Sequence, residues 1–362
     1  MSFLLFTVGC SEDEHLQPNS ESPTSENETV TEKGVESVTV GERKIIAQNL
    51  QEPWEIAKVN NTFYVSERNG SIVTIDGENQ SRKPVKFDKN LANQPEAGLL
   101  GIAFPDDFTE TETAFAYYSY QEDNEYYQRV VTIEQGNEHW VEQSILIDHI
   151  PGGQFHQGGR IEIGPDENLY ITTGDATNPE LAQDVDSLAG KILRMNPNGS
   201  IPEDNPFNNS YVYSYGHRNP QGLAWDSDDR LFATEHGSDA HDEINRIIKG
   251  SNYGWPVVEG DESENDMEGP IIHSGTETWA PSGMTYFNNN FYFASLRGEG
   301  VRKFDPFEET QHLIVSDVGR VRDLLAVDDG IYVITNNTDG RGIPSENEDV
   351  LLFISISQNQ LH

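Results

Sequence analysis

The chain is poor in cysteine, poor in bases and without a long apolar run. Cys10 is the single cysteine in 362 residues, so no intrachain disulfide can form. Lys and Arg together number 23 against 62 Asp and Glu, a formal net charge of −39. Duplex nucleic acid is thereby excluded as an expected partner, because phosphate binding needs a basic face. So acidic a surface suits a saline medium, in which its self-repulsion is screened. No segment is long and apolar enough to span a bilayer as a helix. There is no Cys/His spacing of zinc type, no glycine-rich strand-to-helix loop for a nucleotide and no G-x-S-x-G of a serine hydrolase.

The termini and the body differ in character. Residues 3–8 are a short apolar run followed by Gly9 and Cys10. This resembles the end of a bacterial lipoprotein signal over residues 1–10, and predicts export with a lipid anchor at Cys10 as the sole membrane contact. Residues 11–41 are rich in Ser, Glu, Asn, Thr and Pro and read as a disordered acidic tether. From residue 42 to 358 a pattern recurs of polar turn, apolar and aromatic strand, polar end. It is seen in NNTFYVSERNGSIVTID (60–76), TAFAYYSY (113–120), DENLYITTGD (166–175), SDDRLFATEHG (227–237), NNNFYFASLRG (288–298) and DDGIYVITNN (328–337). A second strand follows in several copies, as in GKILRMN (190–196) and EGVRKFD (299–305).

Short strands at a period of this kind, with few helical patterns, predict an all-β, six-bladed β-propeller of four-stranded antiparallel blades around a central channel. A β-sandwich is the alternative. Ring closure is expected to pair a strand near Lys44-Ile45-Ile46 with the last strand, residues 349–356.

In a propeller the strand-end loops converge on one mouth of the channel. Those loops carry His156, Asp175, Arg218, Asn219, His236, Arg297, Arg320 and Arg322, with Glu96 in an earlier loop. His156 is a candidate general base and Asp175, nineteen positions on, its natural partner. A buried structural histidine is the competing reading. Arg160, Arg218, Arg297, Arg320 and Arg322 stand in glycine-flanked loops of an acidic chain. Guanidinium groups bind carboxylates bidentately, so several together predict a polyanionic ligand; isolated surface ion pairs are the bland alternative. Residues 235–256 offer carboxylates, carbonyls and glycine turns of the kind Ca²⁺ prefers.

The pieces PWEIA (53–57), GLLGIAF (98–104), FHQGGRIEIGP (155–165), AGKILRMNPNGSIPEDNPF (189–207), YGHRNPQGLAWD (215–226), NYGWP (252–256) and GRVRD (319–323) follow one another in the order of a known family. The chain resembles the soluble aldose sugar dehydrogenases that use pyrroloquinoline quinone (PQQ), the glucose/sorbosone dehydrogenases. The resemblance implies oxidation of the C1 hydroxyl of an aldose to a lactone, with electrons passed to an external quinone or cytochrome-type acceptor.

By the same resemblance His156 is the base, Asp175 orients it and Arg218 stabilises charge at the quinone carbonyl. Glu96, Asn219, Arg297, Arg320 and Arg322 are implied as further cofactor contacts. An active-site Ca²⁺ is implied at the Gly237 and Ser238 carbonyls, and a second at the Glu243 side chain and Tyr253 carbonyl. Ser238 stands where the family commonly has Pro, Arg297 where the glucose enzymes have Lys, Glu96 where they have Gln, and Phe155 where they have Asp. A calcium-dependent sugar lactonase and a non-catalytic sugar- or protein-binding propeller are the alternatives.

Overall fold

A computed structural model describes residues 38–358. Cys10 and most of the expected tether lie outside the described residues. The tether's expected end at residue 41 is corrected, since the strand Val38–Ala47 begins before it. Among the described residues the regular structure is almost entirely strand, with one short helix, Phe108–Thr111, and one 3-10 turn, Pro179–Ala182.

The strands form four four-stranded sheets and one eight-stranded sheet. In chain order within one four-stranded sheet come Ile161–Ile163, Leu169–Thr173, Lys191–Met195 and Val212–Tyr215. The eight-stranded sheet modifies the expectation of separate four-stranded units. It consists of two antiparallel four-strand runs whose outer strands, Asn79–Lys86 and Trp140–Pro151, meet in a short parallel pairing of Val85 with Trp140 and Lys86 with Val141. Buried Trp140 anchors that seam, packed against Tyr64, Phe104 and Phe108.

The recurring aromatic strands of the sequence are the second strands of these units: Thr62–Glu67, Thr113–Glu122, Leu169–Thr173, Leu231–Glu235, Asn290–Ser295 and Gly330–Thr335. They are buried on both faces, which is why they read as apolar runs. The first strands, Pro53–Val59, Leu99–Ala103, Ile161–Ile163, Pro220–Trp225, Pro281–Phe287 and Val321–Val327, neighbour one another around a common axis. Small residues allow that approach. A Cβ on Gly283 would lie 1.7 Å from Asp323 Oδ1 of the adjacent first strand.

The ring closes as expected. Val38–Ala47 pairs antiparallel with Leu351–Gln358, placing Lys44 opposite Phe353 and Ile45 opposite Leu352. The last sheet thus takes its outermost strand from the start of the described chain. Apolar clusters between sheets form the core, among them Val301, Val321, Val333, Leu352 and Ile354.

Closure by the terminal strand makes a prediction. Ile354 is fully buried, so Ile354→Ala should destabilise the protein by about 2–5 kcal/mol through lost burial and a residual cavity. Urea unfolding followed by tryptophan fluorescence measures it; an unchanged midpoint would show that the closing strand does not support the ring.

Candidate active site

The loops at one end of the axis bring His156 and Asp175 into contact. His156 Nδ1 lies 2.8 Å from Asp175 Oδ1. Asp175 is fully buried, whereas the His156 side chain keeps 19% of its surface exposed. The Nδ1–H therefore points at the carboxylate and Nε2 is the ring nitrogen left to act. His156 adopts φ +61°, a left-handed conformation uncommon for a residue with a Cβ. Its backbone N–H donates to Glu96 Oε2 at 2.9 Å. Gly174 permits the close passage of the two loops, since a Cβ there would sit 1.9 Å from the His156 carbonyl oxygen.

Asp175 has further partners. Thr177 N donates to Oδ1 at 2.8 Å and the Trp255 indole Nε1 donates to Oδ2 at 2.9 Å. The Arg218 guanidinium lies 5.3 Å from the centre of the Trp255 ring and donates to the His236 and Ser238 carbonyls at 3.3 and 3.4 Å. Asn219 is buried behind this loop, where its Oδ1 accepts from Gly158 N at 2.9 Å.

A pocket beside the pair is lined by Trp54, Arg68, Glu96, Gln157, Gly158, Gln221, His236, Leu296, Arg322, Asp339 and Arg341, among others. Its electrostatics are uneven. Glu96 is bonded to Arg341 at 3.1 Å; burial would raise its pKa, but the His156 N–H and Arg341 together hold it below the ordinary value. Among the described residues buried Arg322 hydrogen-bonds to neutral acceptors, Gln221 Oε1 at 2.9 Å and Ser282 Oγ at 3.4 Å, and with the Asn336 amide turned over its oxygen accepts at 2.9 and 3.0 Å. Burial pushes its pKa down to about 9, against the nearby carboxylates of Asp339 and Glu96 and with the help of Arg320 and Arg68. Arg218 Nε and His236 Nε2 are buried with no hydrogen-bond partner. Burial lowers the His236 pKa to about 4, so the ring is neutral at physiological pH. A buried guanidinium with no carboxylate hydrogen-bonded to it among the described residues, and two unpaired polar nitrogens, suit a ligand that brings anionic oxygens of its own.

The remaining arginines separate into different roles. Arg160 is corrected: it is fully buried below this pocket, paired at 3.0 Å with both Glu55 and Asp323, and does not face a ligand. Arg320 is spent on Asp339, at 2.8 Å, and on the Leu296 and Asn336 carbonyls, which places it behind the lining. Arg297 is exposed and adjoins the lining residue Leu296 without lining the pocket itself. Sequence reasoning overlooked Trp54, Arg68, Gln221, Asp339, Arg341 and Trp255. Arg68 was within reach, because it follows the strand Thr62–Glu67 as His236 follows Leu231–Glu235.

A second small cavity adjoins, lined by Arg218, Glu235, Gly237, Glu243, Tyr253, Trp255 and Glu259, among others. Burial and the neighbouring Glu235 push the Glu243 pKa up to about 8. Two acids in a buried site, with Asn245 Oδ1 unpaired beside them, fit a cation. Among the described residues no group of three or more His, Cys, Asp and Glu could hold a metal, so carbonyls would complete the coordination. At the Gly237–Ser238 segment the Arg218 guanidinium donates to the Ser238 carbonyl, Gly237 N donates to Asp242 Oδ1 at 3.0 Å, and Ser238 N and Oγ donate to Glu259 at 2.6 and 2.8 Å.

The family model described as Glucose / Sorbosone dehydrogenase matches residues 50–347. Quinoprotein glucose dehydrogenase B of Acinetobacter calcoaceticus is 34% identical over 60% of this chain, and the match spans 53% of that relative's length. An uncharacterised Synechocystis protein is 32% identical over 82% of this chain and 84% of its own. The PQQ-bound aldose sugar dehydrogenase of Streptomyces coelicolor superposes with a TM-score of 0.83 at 34% identity, covering 89% of this chain and 99% of that one.

The Glu243 carboxyl sets a pH dependence. Its folded pKa of about 8 exceeds its ordinary value of 4.5, so the folded chain holds this proton more tightly than the unfolded chain does. With cations chelated, its contribution to stability is present at low pH and is lost as pH rises from about 4.5 through about 8. Glu243→Gln should flatten that part of the profile. Urea midpoints in chelator at pH 6 and pH 8 test this; equal pH sensitivity in both proteins would contradict the assignment.

Proposed function

Because the chain belongs to the glucose/sorbosone dehydrogenase family, we propose that it is a PQQ- and calcium-dependent aldose dehydrogenase built as a six-bladed propeller. The blade count takes the two halves of the eight-stranded sheet as separate blades. The observation that carries the activity is the His156–Asp175 pair at the edge of a pocket whose Arg322 has no carboxylate hydrogen-bonded to it among the described residues.

His156 Nε2 takes the proton of the anomeric hydroxyl. Asp175 keeps the ring in the Nδ1–H tautomer and stabilises the imidazolium that results. Bound PQQ supplies the acceptor for the C1 hydride, leaving the sugar as a lactone. Arg218, Arg322 and Arg68 would hold the anionic cofactor, and Trp54 and the neutral His236 line the same pocket. Arg320 and Asn219 act by holding the loops around it, and Arg297 lies at the periphery. Glu96 both fixes the His156 backbone and bonds Arg341, so it shapes the sugar side of the pocket. The Gly237 and Ser238 carbonyls would hold Ca²⁺ together with the cofactor, and Glu243 with the Tyr253 carbonyl a second ion. An exported protein anchored at Cys10 and an external electron acceptor complete this reading.

Reconstitution tests it. The protein supplied with Ca²⁺ and PQQ should reduce an artificial acceptor dye in the presence of aldoses. His156→Ala should lower kcat by about 10²–10⁴-fold while PQQ remains bound. Dye reduction by no aldose, or near-normal turnover by the variant, would overturn the proposal.

A further inference from the structure

Trp255 lies between two groups of the site that come from different sheets. Its indole Nε1–H donates to Asp175 Oδ2 at 2.9 Å, and the Arg218 guanidinium stands 5.3 Å from the centre of its ring. Its own backbone is pinned. Trp255 N donates to the Gly216 carbonyl at 3.0 Å, and Gln183 Nε2 donates to the Trp255 carbonyl at 2.7 Å. Gln183 also exchanges hydrogen bonds with the Asn252 amide at 2.8 and 3.0 Å, so the loop carrying the indole is fixed from two sides.

The Asp175 carboxylate is fully buried and divides its two oxygens. Oδ1 receives His156 and Thr177, and Oδ2 receives Trp255. Among the described residues no other hydrogen bond to Oδ2 is made. We infer that Trp255 is a positioning residue that sets the orientation and charge of Asp175, and through it the basicity of His156. The inference rests on the reading of His156 as the base in aldose oxidation.

The indole N–H draws charge from the carboxylate. Without it, Asp175 becomes a stronger partner for the imidazolium and is freed to turn about its remaining Oδ1 contacts. His156 then holds its proton to higher pH and is less available as a base. His156 contacts Asp175 and Glu96; Glu96 in turn bonds Arg341 and feels His236, and the Asp175 N–H donates to the Arg218 carbonyl. Of these groups only Asp175 accepts from the indole N–H, so its removal acts on His156 through Asp175. Trp255→Phe removes the donor and keeps a smaller ring near Arg218, whereas Trp255→Leu removes both the donor and the ring.

The test uses the full chain labelled with ¹⁵N, without cofactor or sugar. In the unmodified protein the Trp255 indole N–H resonance should shift with the same pH midpoint as the His156 ring signals. In Trp255→Phe the His156 midpoint should rise by roughly half to one pH unit. The reconstituted Trp255→Phe enzyme should lose about tenfold in kcat with the sugar KM little changed, and its pH–rate profile should move upward. Trp255→Leu should in addition weaken PQQ retention. An indole resonance blind to His156 protonation, or a Phe variant with an unmoved midpoint and a lowered melting temperature, would overturn the inference. The measurement on the unmodified protein decides even if the variants fail to fold. Intact coupling in a protein that oxidises no aldose would instead sink the dehydrogenase reading.

Discussion

Arg160 is the interaction on which the ring depends. A ring of sheets has no apolar centre, because its first strands face an axis open at both ends. Arg160 fills that axis with a charge. It pairs with Glu55 and Asp323 at 3.0 Å each, donates from Nε to the Gln221 carbonyl at 2.9 Å and lies over the Trp54 ring at 4.5 Å. The two acids then satisfy backbone donors: Asp323 takes Ile56 N at 2.9 Å and Glu55 takes Ile102 N at 2.8 Å. First strands on five sides of the axis are thereby held through one guanidinium. Removal of either kind of partner would strand a buried charge, a far larger cost than the net worth of the pairs.

The pocket is built directly on that knot. Trp54 receives Arg160 on one side of the network and has Arg322 5.9 Å from its ring centre. Gln221 uses its carbonyl for Arg160 and its side-chain oxygen for Arg322. The two arginines sit in one polar column yet differ in balance. Arg160 is overmatched by acids, which hold its pKa above the ordinary value against the effect of burial. Among the described residues Arg322 hydrogen-bonds to neutral acceptors. The lower group is part of the frame; the upper group is left to attract an anion. Function follows from that difference in partners rather than from residue type.

The same difference explains what could be read in the sequence. The second strands were legible because burial on both faces makes them apolar and aromatic. The first strands were not, because they contain glycines such as Gly283 and carry the polar groups of the axis, among them Glu55, Gln221 and Asp323. His156 and Asp175 were legible because each ends a recognisable segment of one sheet. Arg160 looked like a ligand arginine, since a glycine-flanked arginine gives no sign of whether its acids come from distant strands; Glu55 and Asp323 are brought to it only by closure. Trp255 and Arg341 were invisible for the same reason, their partners Asp175 and Glu96 being far away in the chain. The joining of two four-strand runs into one sheet depends on a pairing of two residue pairs, too brief to leave a pattern.

The central claim is that Arg322 in the column binds a planar polyanion. Equilibrium binding of PQQ, followed by its absorbance with Ca²⁺ present, measures this without reference to turnover. The account predicts saturable one-to-one binding by the native chain, weakened at least about tenfold by Arg322→Met, a loss in the range of one charge-assisted hydrogen bond. Equal affinity for both proteins, or no saturable binding by the native chain, would contradict it.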